Sequence, residues 1–95
     1  MHLIEERRDE YGQRVVAIQS WARELGRAIG QDDFFIEIDG EMLAFIRTSH
    51  TVRIRGDAGE EAVVLSKEEF WNEYDLFERS AAPRLRAAIE RLSLG

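Results

Sequence analysis

The chain has 95 residues, 44% of them hydrophobic, which is enough for one core and therefore for a single domain over 1–95. Nineteen Asp and Glu against thirteen Lys and Arg leave a formal charge of -6, which repels a phosphate backbone and disfavours direct nucleic-acid binding. No Cys and only two His exclude a disulfide framework and a structural zinc site, and no metal or cofactor is expected.

The start, Met1-His2-Leu3-Ile4-Glu5-Glu6-Arg7-Arg8, is charged before an apolar stretch can form, and no apolar run approaches about eighteen residues. Neither a signal peptide nor a membrane span is expected, and the cytoplasm is the expected compartment. From Leu3 to Ile29, apolar residues recur at Ile4, Tyr11, Val15, Ile18, Ala22, Leu25 and Ile29, and steps of four and three place them on one stripe of an amphipathic helix. Gly30 suits the left-handed residue just past its end. An unbroken helix of this length spans roughly 40 Å, more than a small domain needs. Either Gly12 marks a break, or one end projects toward a partner.

Phe34-Phe35-Ile36-Glu37-Ile38, Asp39-Gly40 and Glu41 to Arg47 then read as two strands about a tight turn, since both central residues of a type I′ turn need positive φ. The implied register pairs Ile38 with Glu41, Ile36 with Leu43 and Phe34 with Phe45. The alternating run His50 to Arg55 forms the next strand, pairing Phe45 with Val52 and Leu43 with Ile54. Phe34, Ile36, Leu43, Phe45, Val52 and Ile54 make the core face. Phe35, Glu37, Met42, Ala44, Ile46, Arg53 and Arg55 make a mixed opposite face. After the loop Gly56-Asp57-Ala58-Gly59, Glu61 to Leu65 reads as a short fourth strand at an edge.

Ser66-Lys67-Glu68-Glu69 is a capping box, with Ser66 as N-cap and Glu69 reaching back. The helix that follows carries Phe70, Trp71, Tyr74 and Phe77 in one band, with Glu68, Glu69, Glu73, Asp75 and Glu78 on its flanks and back. Pro83 suits the first turn of a last helix bearing Leu85, Ala88, Ile89 and Leu92. The expected fold class is α+β: a two-layer sandwich with a four-stranded antiparallel sheet, one N-terminal and two C-terminal helices, in the order αββββαα.

No nucleophile motif or phosphate-cradling glycine loop is present, and no catalytic residue is assigned. Arg47, His50, Arg53 and Arg55 could together hold a phosphate or RNA. The favoured reading makes Arg53 and Arg55 outward strand positions of a solvated sheet paired with Glu37, and His50 a turn residue. The acidic helix is the stronger candidate. Glu60, Glu61, Glu68, Glu69, Trp71, Glu73, Asp75 and Glu78 would present a negative surface to a basic partner, selecting it and speeding its association. Otherwise Phe70, Tyr74 and Phe77 are core and the acids a solvated face. The first helical stripe could drive homodimerisation or simply pack on the sheet. The mixed sheet face, apolar with an arginine rim, could also bind a protein.

The first helical stripe, the Phe34-to-Arg55 meander with its Asp39-Gly40 turn, and the acidic helix Glu68 to Glu78 give a layout that resembles small acidic phage-encoded anti-CRISPR inhibitors. That resemblance implies an inhibitor that occupies the basic lining of a nucleic-acid channel. Twelve arginines set this chain apart from a dedicated DNA mimic, and a lone Lys against them suggests GC-rich codon usage and a bacterial or phage source. The expected function is that of a non-enzymatic inhibitor, of anti-CRISPR, immunity or antitoxin type, docking on a nuclease, CRISPR effector or toxin. The alternatives are a homodimeric assembly protein or a weak RNA binder.

Overall fold

The computed structural model describes residues 2–31, 33–40 and 48–94. Helix α1 (His2–Ala28) is followed by three strands, β1 (Phe34–Ile38), β2 (Ser49–Gly56) and β3 (Gly59–Ser66). Then come a short helix α2 (Lys67–Trp71), a 3-10 turn at Glu73–Asp75, a π-helical turn at Phe77–Ala81, and helix α3 (Ala82–Leu94). The α+β class holds, but among the described residues the sheet has three strands, not the expected four, and the order is αβββαα.

The correction follows from the pairing of β2. One of its edges is taken by β1, with Ile36 opposite Ile54 and Ile38 opposite Val52, and the other by β3, with Val63 opposite Val52 and Glu61 opposite Ile54. Both edges of β2 are thus occupied, Val52 lying between Ile38 and Val63 and Ile54 between Ile36 and Glu61, where the expected partners were Phe45 and Leu43. The expected strand Glu41 to Arg47 and its register against β1 lie outside the described residues. The Asp39-Gly40 backbone nevertheless has the positive φ that the dipeptide predicted, 63° and 75°.

Within each strand the period of two holds. Phe34, Ile36, Ile38, Val52, Ile54, Val63 and Leu65 are buried on the helix-covered face. α1 lays its stripe over them: Ile18 and Ala22 are fully enclosed, while Tyr11, Val15, Leu25 and Ile29 pack at the margin. The stripe is therefore packed on the sheet within the chain. α3 contributes Leu85, Ala88, Ile89 and Leu92 to the same core, with Pro83 in its first turn. No helix among the described residues is long and apolar enough to cross a membrane.

α1 runs through Gly12 without a break, and at about 1.5 Å per residue it accounts for most of the 47 Å long axis of a molecule only 26 by 19 Å across. Residues 7–10 near its start are exposed. Gly30 ends it in the left-handed conformation, φ 77°, and the Gln31 amide bonds back to the Gly26 carbonyl at 2.6 Å. Gly26 is needed for close approach, since a Cβ there would lie 2.7 Å from the Phe34 ring and 2.3 Å from the Gln31 carbonyl oxygen. Gly12 has no such reason, because its Cβ would meet nothing within 4 Å. The two helical glycines should respond oppositely to alanine. Gly12→Ala should raise stability by about 0.5–1 kcal/mol by removing backbone entropy from the unfolded chain. Gly26→Ala should lower it by at least about 1 kcal/mol through overpacking, as read by chemical denaturation.

Candidate functional site

The acidic helix expected after Ser66 breaks after one turn. Its start is as the sequence indicates: Ser66 Oγ accepts from the Glu69 amide at 3.1 Å, and Glu69 Oε1 accepts from the Ser66 amide at 2.8 Å. Its end is set by Asn72, which turns left-handed at φ 60° while its amide reaches back to the Glu68 and Glu69 carbonyls. The Asn72 side-chain oxygen then accepts the Phe77 amide at 3.0 Å and so starts the next helical segment. A straight helix from the end of β3 would leave the sheet. The corner turns the chain back, so that Phe77, Ala81 and α3 pack on the core beside β3.

The corner carries three non-glycine residues at positive φ: Asn72, Tyr74 at 56° and Asp75 at 58°. Each left-handed residue of this kind costs about 1–2 kcal/mol unless its surroundings hold it. Here they do. Arg14 of α1 donates from Nε to the Phe70 carbonyl at 2.8 Å and lies 5.3 Å from the centre of the Phe77 ring, and Trp21 meets that ring edge-on at 5.5 Å. Burial lowers the Arg14 pKa from its ordinary value, and the nearby Glu78 carboxylate partly offsets this. The result is that Tyr74, expected in the core band, stands 82% exposed.

The break sorts the eight residues expected to form one acidic surface. Glu60 and Glu61 are neighbours on β3 and so point to opposite sides of the sheet. Glu60 meets Arg55 at 3.4 Å on the outer side, and Glu61 accepts from Arg91 of α3 at 2.7 and 3.0 Å. Glu69 is buried. Burial pushes its pKa up, but hydrogen bonds from the Ser80 hydroxyl and Ser66 amide, together with Arg84, outweigh this and hold the carboxyl down at about 2. Trp71 is half-buried, covered by the Arg7 guanidinium 4.1 Å above its ring and by the edge-on ring of Tyr11. Glu68, Glu73, Asp75 and Glu78 remain exposed, and no ion pair engages them among the described residues. Those four surround Tyr74 in sequence, which the aromatic-band reading had missed; Asn72, the residue type most tolerant of the left-handed region after glycine, was the available signal.

The phosphate-binding set is not assembled. Arg47 lies outside the described residues. Arg53 and Arg55 are exposed on the outer sheet face opposite Glu37 and Phe35, whereas His50 is fully buried on the other face. Alternation already contained this, because His50 shares its parity with Val52 and Ile54. The outer face is uncovered by any described helix and exposes Phe35 at 77%.

His50 belongs instead to a cluster that the sequence did not announce. Its Nδ1 donates to Asp39 Oδ2 at 2.8 Å, and the same oxygen accepts from the Tyr11 hydroxyl at 2.6 Å. Asp39 Oδ1 accepts the Thr51 amide at 2.9 Å. Phe70 stacks on His50 at 4.0 Å and Tyr11 stacks on Phe70 at 5.1 Å. The geometry resembles a base held by a carboxylate, but His50 Nε2 is sealed from solvent and has no hydrogen-bond partner among the described residues. Enclosed in this way, it can lock elements together but cannot reach a substrate. No group of three or more His, Asp or Glu side chains among the described residues could hold a metal ion.

Comparison with family models, with curated proteins and with solved structures finds no match to this chain.

Two stability measurements check the geometry. Asp39→Ala should cost about 3 kcal/mol or more, because it strands the Tyr11, Thr51 and His50 donors inside the fold. Glu69 has a folded pKa near 2 against an ordinary 4.5, so its contribution is complete above pH 4.5 and is lost as the pH falls toward 2. In an acid titration of unfolding free energy, Glu69→Gln should flatten the curve in that window, removing up to about 3 kcal/mol of the stability lost across it.

Proposed function

We propose that the chain is a non-enzymatic binding protein that docks the acidic corner, residues 72–78, on a basic surface of another protein. The observation that carries this reading is Tyr74, a large aromatic side chain held 82% exposed by a left-handed backbone between two acids. An exposed ring leaves burial energy of about 1.5–3 kcal/mol unused, and the backbone at the corner adds strain of about the same size. A partner that buries Tyr74 recovers the first and makes use of the second. Tyrosine is also among the residue types that most often dominate binding energy at protein interfaces.

The four exposed acids Glu68, Glu73, Asp75 and Glu78 would guide a basic partner and reject an acidic one. The resemblance to anti-CRISPR inhibitors implies a nucleic-acid-handling protein with an arginine- and lysine-lined channel as that partner. Phosphate mimicry over a long acidic helix is not part of the reading, since three of the expected acids are held by Arg55, Arg91 and Arg84. A non-enzymatic role accords with the burial of His50 away from the arginines.

A second reading, contact between the outer sheet face and single-stranded RNA, is favoured by Phe35, whose exposed ring stands opposite Arg55 and could stack a base. Saturable fluorescence binding of an oligonucleotide at low salt that Phe35→Ala abolishes would support it. No binding at low salt would remove it, because electrostatic affinity is greatest there.

The leading reading is tested with Tyr74→Gly, which accepts the left-handed backbone and removes the ring. Stability should be unchanged or higher by up to about 1 kcal/mol. In affinity capture from a lysate of the native host, read by mass spectrometry, a basic protein retained by the unaltered chain should be lost with Tyr74→Gly and with the reversal of Glu73 and Asp75 to lysine. A captured set that survives both changes would refute the corner as the docking site.

A further inference from the structure

The outward face of α1 is covered by no described element, and its charges reverse about one residue. Asp9, Val16 and Arg23 stand seven residues apart, so they follow one line along the helix with a drift of only about 20° per step. That line lies opposite the buried stripe of Ile18 and Ala22. All three residues are exposed, Val16 at 60%, and neither Asp9 nor Arg23 makes an ion pair among the described residues. Gly12 and Ser20 lie four residues to either side of Val16 and are exposed as well. A shallow depression over the N-terminal half of this face, lined by Arg8, Asp9, Gly12, Gln13, Val16 and Ala17, is mostly apolar. Running the helix backwards about Val16 exchanges Asp9 with Arg23 and Gly12 with Ser20. An acid then meets a base, and a small residue meets a small residue.

We infer that this face pairs with the same face of a second copy, forming an antiparallel two-helix dimer whose two-fold axis passes at Val16. Asp9 then faces Arg23 of the second copy on each side of the axis, and Val16 meets its own counterpart at the centre. A parallel pairing would set acid on acid and base on base, so the charges select the antiparallel arrangement. Gly12 acquires the reason that it lacks within the chain. A Cβ there meets nothing in the monomer, yet its absence lets a second helix approach closely. Helix contact over about four turns is small for a protein interface, and the expected dimer is reversible, with a dissociation constant in the micromolar range.

The experiment is sedimentation velocity on the full chain from about 1 μM to about 1 mM, a range that brackets such an affinity. The mass should rise with concentration from 11.0 kDa toward twice that value. Asp9→Arg and Arg23→Asp should each weaken self-association at least about tenfold by making the facing charges alike. An equimolar mixture of the two variants should recover a heterodimer of about the original strength, because the reversed charges complement each other across chains. Both positions are exposed, so helicity by circular dichroism should be unaltered. Should either reversal reduce helicity, Asp9→Asn and Arg23→Gln take its place, with a severalfold weakening expected. A monomer mass over the whole range, a dimer indifferent to both variants, or a mixture no more associated than its components would each overturn the inference. None of these outcomes depends on Tyr74.

Discussion

The Asp39 carboxylate is the point at which the elements of this fold are tied to one another. It stands where β1 ends, on a left-handed residue, and its two oxygens receive a hydroxyl from α1, a ring nitrogen from β2 and a backbone amide from β2. A carboxyl group so enclosed is tolerable only because each of those donors faces it, and each donor in turn needs the carboxyl oxygens. The consequences pass outward in order. His50, oriented by Asp39, offers its face to Phe70; Phe70 sets the position of α2; and α2 ends in the corner that aims Tyr74 at solvent. Tyr11, held by the same oxygen, packs against Phe70 and Trp71 and fixes the N-terminal part of α1 over α2.

Around that anchor the charges divide by environment and not by position in the sequence. Glu61, Glu69 and Glu60 are matched by Arg91, Arg84 and Arg55, and these pairs join α3 to the sheet, α3 to α2, and neighbouring strands to each other. Arg84 also donates to the Val64 carbonyl on the outer side of β3, where a bare strand edge would otherwise invite pairing with another chain. The acids of the corner have no such partners among the described residues.

The corner also shows where stability has been surrendered. Three non-glycine residues in the left-handed region and an exposed tyrosine are individually unfavourable, and the surroundings hold them in place through Asn72, Arg14 and Trp21. Gly12 on α1 belongs with them, a helix-weakening residue on an exposed face. Departures of this kind from local preference, set in an otherwise consistent fold, are where a binding surface is expected.

What the sequence determined by itself was whatever acts over a few residues. The capping box joins Ser66 to Glu69, Gly30 closes α1, Asp39-Gly40 adopts positive φ, and the period of two separates Val52 and Ile54 from Arg53 and Arg55. Each of these rests on hydrogen bonds or sterics within one turn or one strand, so neighbouring residues suffice to specify it. Strand order was not of that kind. Apolar alternation made several partners acceptable for β2, and only the joint burial of Phe34, Ile36, Val63 and Leu65 under α1 and α3 selected β1 and β3. The Tyr11–Asp39 bond joins residues 28 apart and leaves no local trace. The break at Asn72 had a local signal, yet the aromatic band argued for a continuous helix, and the choice fell to the sheet, which needs the chain to turn back over it. Tertiary structure therefore decided which acids are matched and which are presented, because an ion pair depends on what lies across space from a side chain.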